Sequence, residues 1–520
     1  MDHVLGLDLG TSGLKLALVT VEGEIAATAE EPYPLHLLPQ GGAEQDPEDW
    51  WSAVVRGTRR VVAGSGIDPA SVVGVGCSAQ WSGTVPVGAD GRPLMRAVIW
   101  MDSRGAGQIR RIVHGFPMVQ GYGLGKLVTW IRRTGGAPGH QGKDPIAHIL
   151  FIRDRLPAIY KRTDLFLEPR DWINFRLSGR MATSFDAVTL HWVADTRDID
   201  DVRYDDRLLR MGRLDRERLP DIVPAASILG PLRPETAAEL GLPQTVRVVT
   251  GAPDIMAAAI GAGAVRDFDA HLSIGTSSWL SCHVPYKKTD LFHNMASLPS
   301  AIPGRYLLAN EQESAGVCLS ELKDNVLFPP DGGRVPDDPY GEMLAMAAAA
   351  PAGSGGLIFA PWVNGERSPV DDRTARGGFF NLSLGITRGH LVRAVLEGVA
   401  YNARWLLVYV EKFIKRRLDA ITMVGGGARS ELWCQIVADV LDRNILLPED
   451  PVMANARGAA LQAAVALGRL TWDQVADSVP IARTFQPASA TRAVHDAQFR
   501  EFVNLYRSTK KIHARLNADR

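Results

Sequence analysis

Apolar residues alternate with glycine and turn residues at the start of the chain, and this pattern predicts three short strands. Residues 4–7 form an apolar run that ends at Asp8, and the segments 15–20 and 24–29 follow after turns. Residues 46–62 have the pattern of a helix, because Asp46 is a good N-cap and Pro47 suits the first turn. A run of strands followed by a helix predicts a mixed α/β domain.

A second strand–turn–strand unit repeats the first one about half a chain later. Residues 270–274 and 279–283 are apolar segments around a Gly-Thr-Ser turn at 275–277, as residues 4–20 surround a Gly-Thr-Ser turn at 10–12. Such hairpins offer backbone N–H groups and hydroxyls to an anion. Each one alone is also an ordinary turn, but two in matched positions predict two related domains.

A third glycine-rich element, Gly-Gly-Gly-Ala at 425–428, lies between an apolar strand and a helix with an apolar stripe. This layout lets a phosphate or a flat ligand approach backbone at a helix N-terminus. Residues 388–411 predict a longer amphipathic helix whose apolar face belongs to a core.

The chain divides where its pattern changes. Residues 105–247 are more helical and richer in arginine, and a break falls near Pro243, ahead of an apolar strand at 246–250. We predict an N-terminal domain of residues 1–247, a C-terminal domain of residues 248–485 and a peripheral helical tail of residues 486–520.

Composition and charge narrow the class of protein. The 57 Lys and Arg residues against 58 Asp and Glu residues give a net charge of −1, which argues against a nucleic-acid binder. The four cysteines form no Cys-x-x-Cys pair, so neither a zinc ribbon nor a redox pair is expected. No leader pattern and no apolar run of about 18 residues occurs. We therefore expect a cytoplasmic protein that does not bind membranes.

Several signatures of common enzyme classes do not occur in the sequence. There is no GxGxxG, HExxH or GxSxG motif, so dehydrogenases of the Rossmann type, zincins and α/β-hydrolases are disfavoured. The stretch 121–126 resembles a P-loop, but its spacing is wrong and Leu127 stands where Ser or Thr is required.

What remains is an ordered set of motifs that spans about 450 residues. It comprises Asp8-x-Gly-Thr-Ser-x-x-Lys15, the second Gly-Thr-Ser turn, the 425–428 element and Asp254 in a Gly/Pro loop. This set resembles the FGGY family of carbohydrate kinases within the actin-like ATPases. The stretches 78–83, 99–104, 364–369 and 375–382 are similar to the xylulokinase-like branch.

The resemblance implies an α/β fold of two actin-like, ribonuclease-H-like domains. Each would contain a mixed five-stranded sheet with helices on both faces, and ATP and Mg²⁺ would lie in the cleft between them. Asp254 would be the general base that accepts the proton of the attacking sugar hydroxyl. Asp8 would lie near Mg²⁺, through water. From the residues alone, Asp254 also fits a helix N-cap and Asp8 a strand-end turn.

The resemblance also implies the remaining site residues. Lys15 is one of them, although its position also fits an ordinary surface strand residue. Arg429 is a further candidate for contact with the nucleotide. Trp100, in contrast, is expected to pack in the core. The residues expected to contact ATP are Thr11, Ser12, Lys15, Gly275, Thr276, Ser277, Gly426, Gly427, Ala428 and Glu431. The residues expected to contact the acceptor are Gln80, Trp81, Ser82, Asp102 and Asp254.

The chain departs from the xylulokinase pattern at positions that bear on the substrate. Trp81-Ser82 stands where xylulokinases usually have Met-His, and His148 and Phe151 stand where the first family signature usually has Lys and Trp. Val370 stands where His is frequent. D-xylulose is the first candidate acceptor, and other ketoses, polyols and sugar acids stay open. We interpret His148 as structural.

Two other classes of function compete with a sugar kinase. A switch ATPase of the same superfamily shares the hairpins but lacks the 364–382 stretch and an aspartate placed like Asp254. A degenerate kinase kept as a sugar-binding regulator is disfavoured because both Asp8 and Asp254 are present. A homodimer is a family-level expectation without a residue pattern to support it.

Overall fold

The first of two large sheets carries the N-terminal hairpin. The computed structural model describes residues 1–329, 331–332 and 335–518, so residues 519–520 of the predicted tail lie outside the described residues. Six strands lie in the order β5-β6-β4-β1-β2-β3. They are β1 His3–Leu9, β2 Gly13–Thr20, β3 Ile25–Pro32, β4 Val72–Ala79, β5 Ile228–Pro231 and β6 Arg247–Pro253. The predicted three-stranded start is confirmed, since β1, β2 and β3 form an antiparallel meander.

The second sheet has eight strands in the order β9-β10-β11-β8-β7-β12-β13-β14. They are β7 Ala270–Ile274, β8 Ser278–Val284, β9 Thr289–Asp290, β10 Met295–Pro299, β11 Tyr306–Ala309, β12 Ala420–Val424, β13 Asn444–Pro448 and β14 Ile481–Phe485. The strands β11-β8-β7-β12-β13 repeat the order and directions of β3-β2-β1-β4-β6. The two related α/β domains are thus confirmed, and each five-stranded core is extended at its edges by further strands.

Helices and small sheets complete the described part of the chain. The helices are α1 Pro47–Ser65, α2 Ala106–Val113, α3 Leu124–Thr134, α4 Pro145–Arg155, α5 Pro157–Arg162, α6 Pro169–Ser178, α7 Asp206–Gly212, α8 Pro234–Leu240, α9 Asp254–Gly261, α10 Gly316–Leu322, α11 Pro339–Ala349, α12 Arg388–Ile414, α13 Glu431–Leu441, α14 Ala454–Ala466, α15 Trp472–Ser478 and α16 Arg492–Leu516. The short strands are His36–Leu38, Gly42–Gln45, Val85–Val87, Ala97–Val98, Met118–Val119, Tyr122–Gly123, Leu165–Leu167, Ala182–Ser184, Ala194–Asp195, Arg203–Tyr204, Asp221–Val223, Ile358–Ala360 and Gly378–Phe380.

Helices cover both faces of the first sheet. α1 packs on β2 and β3, and α14 packs on β1 and β4. Every residue of β1 is buried, as expected of a strand that is covered on two sides. The predicted start of α1 is confirmed, because the Asp46 side chain accepts a hydrogen bond from the Glu48 N–H at 3.0 Å and Pro47 is the first helical residue.

Glycines allow α14 to lie directly on the first sheet and on α9. A Cβ atom at Gly6 in β1 would stand 1.9 Å from the Ala456 carbonyl oxygen, and one at Gly261 in α9 would stand 1.7 Å from the Ala454 carbonyl oxygen. Such distances exclude a side chain at either position. The first turn of α14 is therefore fixed beside the end of β1.

Two of the expected domain boundaries differ from the observed fold. β6 pairs in parallel with β4 of the first sheet, so the expected division after residue 247 falls within a strand of that sheet. The expectation of a peripheral tail is wrong for α16, because Phe502 is fully buried and its ring centroid lies 5.2 Å from that of Trp362 in the second domain.

Candidate active site

Asp8 is the second-last residue of β1, a central strand of the first sheet, at the mouth of the first hairpin. Its carboxyl is 4% exposed, accepts a hydrogen bond from Asn455 Nδ2 at 3.3 Å and lies 3.9 Å from Lys15 Nζ. Burial raises the pKa of Asp8, and the Lys15 charge and the Asn455 amide oppose that effect. Asp8 and Lys15 therefore form an ion pair, and Asn455 of α14 is hydrogen-bonded to it.

The first hairpin is tied to neighbouring side chains. The Trp100 indole N–H donates to Thr11 Oγ1 at 2.9 Å, and Gln45 Nε2 donates to the Thr11 carbonyl at 2.7 Å. Gln80 Nε2 donates to Gln45 Oε1 at 2.7 Å. Ser12 alone is exposed at the tip. Trp100 was expected in the core, and that expectation is wrong: its ring is half-buried and its N–H contacts the hairpin.

Asp254 is the first residue of α9 and follows directly on β6. Its Oδ1 accepts from the Ile255 N–H at 2.9 Å, and the backbone N–H groups of Ile255 and Trp81 favour the ionised carboxyl and so lower its pKa. Pro253, not Asp254, is the N-cap of α9. Burial, then the charge of Asp8 and a weaker contribution from Glu311, raise the pKa of Asp254 to about 7.

The loop after β4 brings three of the expected acceptor residues to the two aspartates. The Gln80 N–H donates to the Leu9 carbonyl at 2.8 Å, beside Asp8. Trp81 donates its indole N–H to the Ala187 carbonyl at 2.9 Å, and its backbone N–H lowers the pKa of the Asp254 carboxyl. Ser82 has a positive φ of 73° and its hydroxyl donates to the Lys143 carbonyl at 2.8 Å. The loop is thus fixed on both sides.

Asp102 differs from these three residues because its carboxylate is buried and hydrogen-bonded within the protein. It is 1% exposed and accepts from the Ala43 N–H at 2.9 Å and from Arg104 Nε at 2.8 Å. The Arg104 guanidinium lies 4.6 Å above the ring centroid of Phe151. Asp102 therefore anchors Arg104 in the protein, and Phe151, one of the departures from the family pattern, lies against this anchor.

His148 is buried in the same region. One ring nitrogen lies 3.2 Å from the Thr84 hydroxyl, and burial lowers the pKa of the imidazole to about 4. A neutral, hydrogen-bonded imidazole of this kind supports its interpretation as a structural residue.

The second hairpin is held mainly by backbone. Its Gly275 N–H donates to the Ser277 carbonyl at 2.9 Å, and the Gly275 carbonyl accepts from the Gly316 N–H at 2.8 Å. The Thr276 carbonyl accepts from the Ala315 N–H at 2.9 Å, while its side chain is exposed. The hairpin thus rests on the start of α10 and presents the Thr276 hydroxyl to solvent.

The glycine-rich element at 425–428 presents less surface than the sequence indicated. Gly426 is exposed, whereas Gly427 and Ala428 are buried, and a Cβ atom at Gly427 would stand 2.6 Å from Ile274. Glu431 is exposed and pairs with Arg483. Arg429 Nη2 lies 3.7 Å from Glu30 Oε1 of the first domain. Gly426 therefore offers the most accessible backbone of the element.

Sequence reasoning missed an ionic cluster between the two domains. Lys143 Nζ lies 3.5 Å from Glu313 Oε1, and Arg367 pairs with both Glu311 and Glu313. The Lys143 ammonium also lies 5.7 Å from the centroid of the Trp100 ring. Only Arg367 belongs to a motif noted in the sequence, because the other members come from distant segments without a shared pattern.

The described ranges contain no group of three or more His, Cys, Asp or Glu side chains arranged to hold a metal ion. Asp8 is a single carboxylate beside the first hairpin, which fits Mg²⁺, since this ion keeps several waters and takes few protein ligands. No helix among the described residues is long and apolar enough to span a bilayer.

Comparison with known proteins identifies the family. The FGGY family of carbohydrate kinases matches with its N-terminal domain at residues 3–261 and its C-terminal domain at residues 270–467. A xylulose kinase of Staphylococcus epidermidis is 28% identical over 542 residues, covering 99% of this chain and 98% of that protein. A gluconokinase of Bacillus subtilis is 24% identical, covering 97% of this chain and 96% of that protein.

Solved structures show the same fold. The crystal structure of gluconate kinase from Lactobacillus acidophilus has a TM-score of 0.85 at 23% identity, covering 99% of this chain and 100% of that one. Together the two domain matches account for most of the sequence. The chain therefore belongs to the FGGY family of carbohydrate kinases.

Proposed function

We propose that this carbohydrate kinase transfers the γ-phosphoryl group of ATP to a sugar hydroxyl, with D-xylulose as the first candidate and D-xylulose 5-phosphate as its product. The observation that carries the proposal is the Asp254 carboxyl, whose pKa of about 7 suits a base at neutral pH. It follows β6, which is separated from the Asp8 strand only by β4, and the Gln80–Ser82 loop leaves β4 between the two aspartates, where a small acceptor would meet the phosphate hairpins.

In the proposed reaction the acceptor hydroxyl oxygen attacks the γ-phosphorus. A new O–P bond forms, the bond from the γ-phosphorus to the bridging oxygen breaks, and ADP leaves with that electron pair. Asp254 accepts the hydroxyl proton. Alignment and charge neutralisation supply most of the rate enhancement in such transfers, so the fixed loop around Trp81 contributes by holding acceptor and base in register.

The residues that would hold Mg·ATP lie on three elements. Asp8 would hold Mg²⁺ through water, and the ion, when bound, would neutralise charge on the phosphates. The first hairpin would contribute Thr11, Ser12 and Lys15, and the second Gly275, Thr276 and Ser277. Gly426, Gly427, Ala428 and Glu431 would lie along adenosine, with Gly426 as the main backbone contact because it is exposed.

The ionic cluster favours a neutral acceptor over a sugar acid. Lys143 and Arg367 each have a carboxylate partner within it, and Lys15 lies near Asp8. A carboxylate on the acceptor would have to displace one of these partners, which are already partly buried. Gluconate remains the second candidate because a gluconokinase is among the relatives.

The domain division that sheet membership supports lies after α9, near residue 262, with α16 as part of the second domain. Closure of the two domains would exclude water and limit ATP hydrolysis. A homodimer and a cytoplasmic location stay predictions. Full-length similarity to carbohydrate kinases favours a kinase over the switch ATPase.

The acceptor is tested by ADP release from Mg·ATP with a panel of ketoses, aldoses, polyols and sugar acids. Strong stimulation by D-xylulose supports the first candidate and makes Trp81-Ser82 a tolerated variation. Stimulation by gluconate alone contradicts the neutral-acceptor argument. ATP binding without stimulation by any acceptor contradicts the kinase proposal and favours a regulator.

The base is tested with Asp254→Asn, which keeps the size of the side chain and removes its charge. We expect a loss of about 10²–10⁴-fold in kcat. Asp473→Asn is the control, because Asp473 also lies in the first turn of a helix, α15, and is exposed. Full acceptor-dependent turnover by Asp254→Asn would contradict the assignment.

A further inference from the structure

A bulge in β6 sets the position of Asp254. β6 pairs with β4, and the register shifts between Val249 and Ala252, so Thr250 and Gly251 leave the regular ladder. Gly251 has a φ of +69°, and a Cβ atom there would stand 1.7 Å from the Cys77 carbonyl oxygen. Bulges bend a strand and redirect the residues that follow. Asp254 comes three residues after Gly251.

Three buried side chains converge on the carbonyls of this bulge. Arg170 Nη1 donates to the Gly251 carbonyl at 3.1 Å, and Gln462 Nε2 donates to the same oxygen at 3.2 Å. Asn174 Nδ2 donates to the Thr250 carbonyl at 2.9 Å. All three are at most 2% exposed. Buried carbonyls outside a ladder require such partners, so these donors stabilise the bulge.

The donors come from elements that already contact the site. Arg170 and Asn174 lie on α6, and Gln462 lies on α14. Seven residues, about two helical turns, separate Gln462 from Asn455, so both lie on one face of α14. Asn455 donates to Asp8, and Gln462 donates to the strand that leads to Asp254. One face of α14 therefore contacts Asp8 directly and, through Gly251, the strand that ends just before Asp254.

Arg170 is itself fixed in place. Its Nε and Nη2 donate to Asp171 Oδ1 at 3.1 and 2.8 Å, and the carboxyls of Glu168 and Asp186 lie near its charge. Burial raises the pKa of Glu168 well above its usual range. A fork held this way cannot swing away from the Gly251 carbonyl without leaving buried carboxyl groups uncompensated.

We propose that Arg170 and Gln462 are positioning residues that aim the Asp254 carboxylate at the acceptor hydroxyl by holding the Gly251 carbonyl. The proposal rests on the proposed role of Asp254 as general base. Displacing a reacting group by about 1 Å costs about 100-fold in rate, so two hydrogen bonds on the preceding turn affect turnover without contacting substrate.

The main test is Gln462→Met, which removes one donor without changing charge. We expect kcat to fall about 10-fold or more with the KM for ATP nearly unchanged. The acid limb of the pH profile should also move, because Asp254 would shift relative to the charges of Asp8 and Glu311 and to the buried Glu168 carboxyl. Arg170→Lys, which keeps the charge but not the fork, should produce a similar loss.

Gln498→Met is the matched control. Gln498 is also buried and donates to the carbonyl of a glycine with positive φ, Gly353, but it lies on α16 in the second-domain core. It should lower the melting temperature and leave kcat and the pH profile unchanged.

Two results separate the positioning role of Arg170 and Gln462 from the proposed general-base role of Asp254. If Gln462→Met and Arg170→Lys lower only the melting temperature while Asp254→Asn is inactive, the positioning role is wrong and the general base stands. If Asp254→Asn keeps full turnover, the proposed base itself is wrong, and the inference fails with it.

Discussion

The two Gly-Thr-Ser hairpins share a backbone plan but differ in what surrounds them. The position two residues before the glycine is Asp8 in the first hairpin and Ser273 in the second. Their cross-strand partners are Lys15 and Trp279, respectively. The first hairpin thus has a charged pair at its base, whereas the second has an uncharged one.

Their side-chain connections differ as well. Thr11 contacts Trp100 and lies in the network of Gln45 and Gln80, which leads to the acceptor loop. Thr276 is exposed, and its carbonyl is held by the start of α10 within its own domain. The two hairpins therefore share a backbone plan but not their side-chain contacts. We infer that the first hairpin joins acceptor to phosphate, while the second contacts phosphate only.

The largest expected effect comes from the charged position of the first hairpin. Asp8→Asn should lower kcat by about 100-fold or more, because in the proposed reaction Asp8 would hold, through water, the Mg²⁺ that would neutralise charge on the phosphates. Ser273→Ala, the matched change in the second hairpin, should stay within about threefold. Steady-state kinetics of both variants test this. Equal losses would remove the asymmetry between the hairpins.

A smaller effect is expected from the link between the first hairpin and the acceptor loop. Trp100→Phe removes one indole hydrogen bond, worth about 1 kcal/mol, or about fivefold. We expect it to raise the KM for the acceptor more than the KM for ATP.

The control for this change is Trp130→Phe, which removes an indole hydrogen bond to the Trp192 carbonyl away from the hairpin. It should affect stability without changing either KM. A rise in the KM for ATP in Trp100→Phe, with the acceptor unaffected, would show that the first hairpin is not coupled to the acceptor loop.

The smallest effects are expected at the two exposed tips. Ser12→Ala and Thr276→Ala each remove one hydroxyl, and each should raise the KM for ATP by about threefold, the loss of one modest hydrogen bond. Neither should change the KM for the acceptor. The measurement is the ATP dependence of initial rates at a saturating acceptor concentration. A change confined to the acceptor would contradict the placement of the tips at the phosphates.

Local patterns predicted much of the fold. Alternating apolar residues and turn signals located β1, β2, β7 and β8, and Asp46 with Pro47 located the start of α1. The repeated hairpin also predicted two related domains. The strand and helix signals lie inside or beside the elements they predict, and the repeat is visible because both turns have the same residues, Gly-Thr-Ser.

Features that depend on distant contacts could not be predicted. β6 belongs to the first sheet because it pairs with β4, more than 160 residues earlier in the sequence. The sequence predicts Trp100 as a core residue, because its hydrogen bond to Thr11 joins positions 89 residues apart. Gln462 has no motif around it, and its contact with Gly251 arises only because small residues let α14 approach the sheet.

The most direct test of the central claim, that Asp254 is the base, is the pH dependence of kcat/KM for the stimulating acceptor. The ionised carboxylate is the active form, so activity should rise about tenfold per unit below pH 7 and level off above an apparent pKa of about 7. Asp8→Asn should move that limb to lower pH if its activity is measurable, because the Asp8 charge raises the Asp254 pKa. A flat profile between about pH 5.5 and 8.5 would contradict the account.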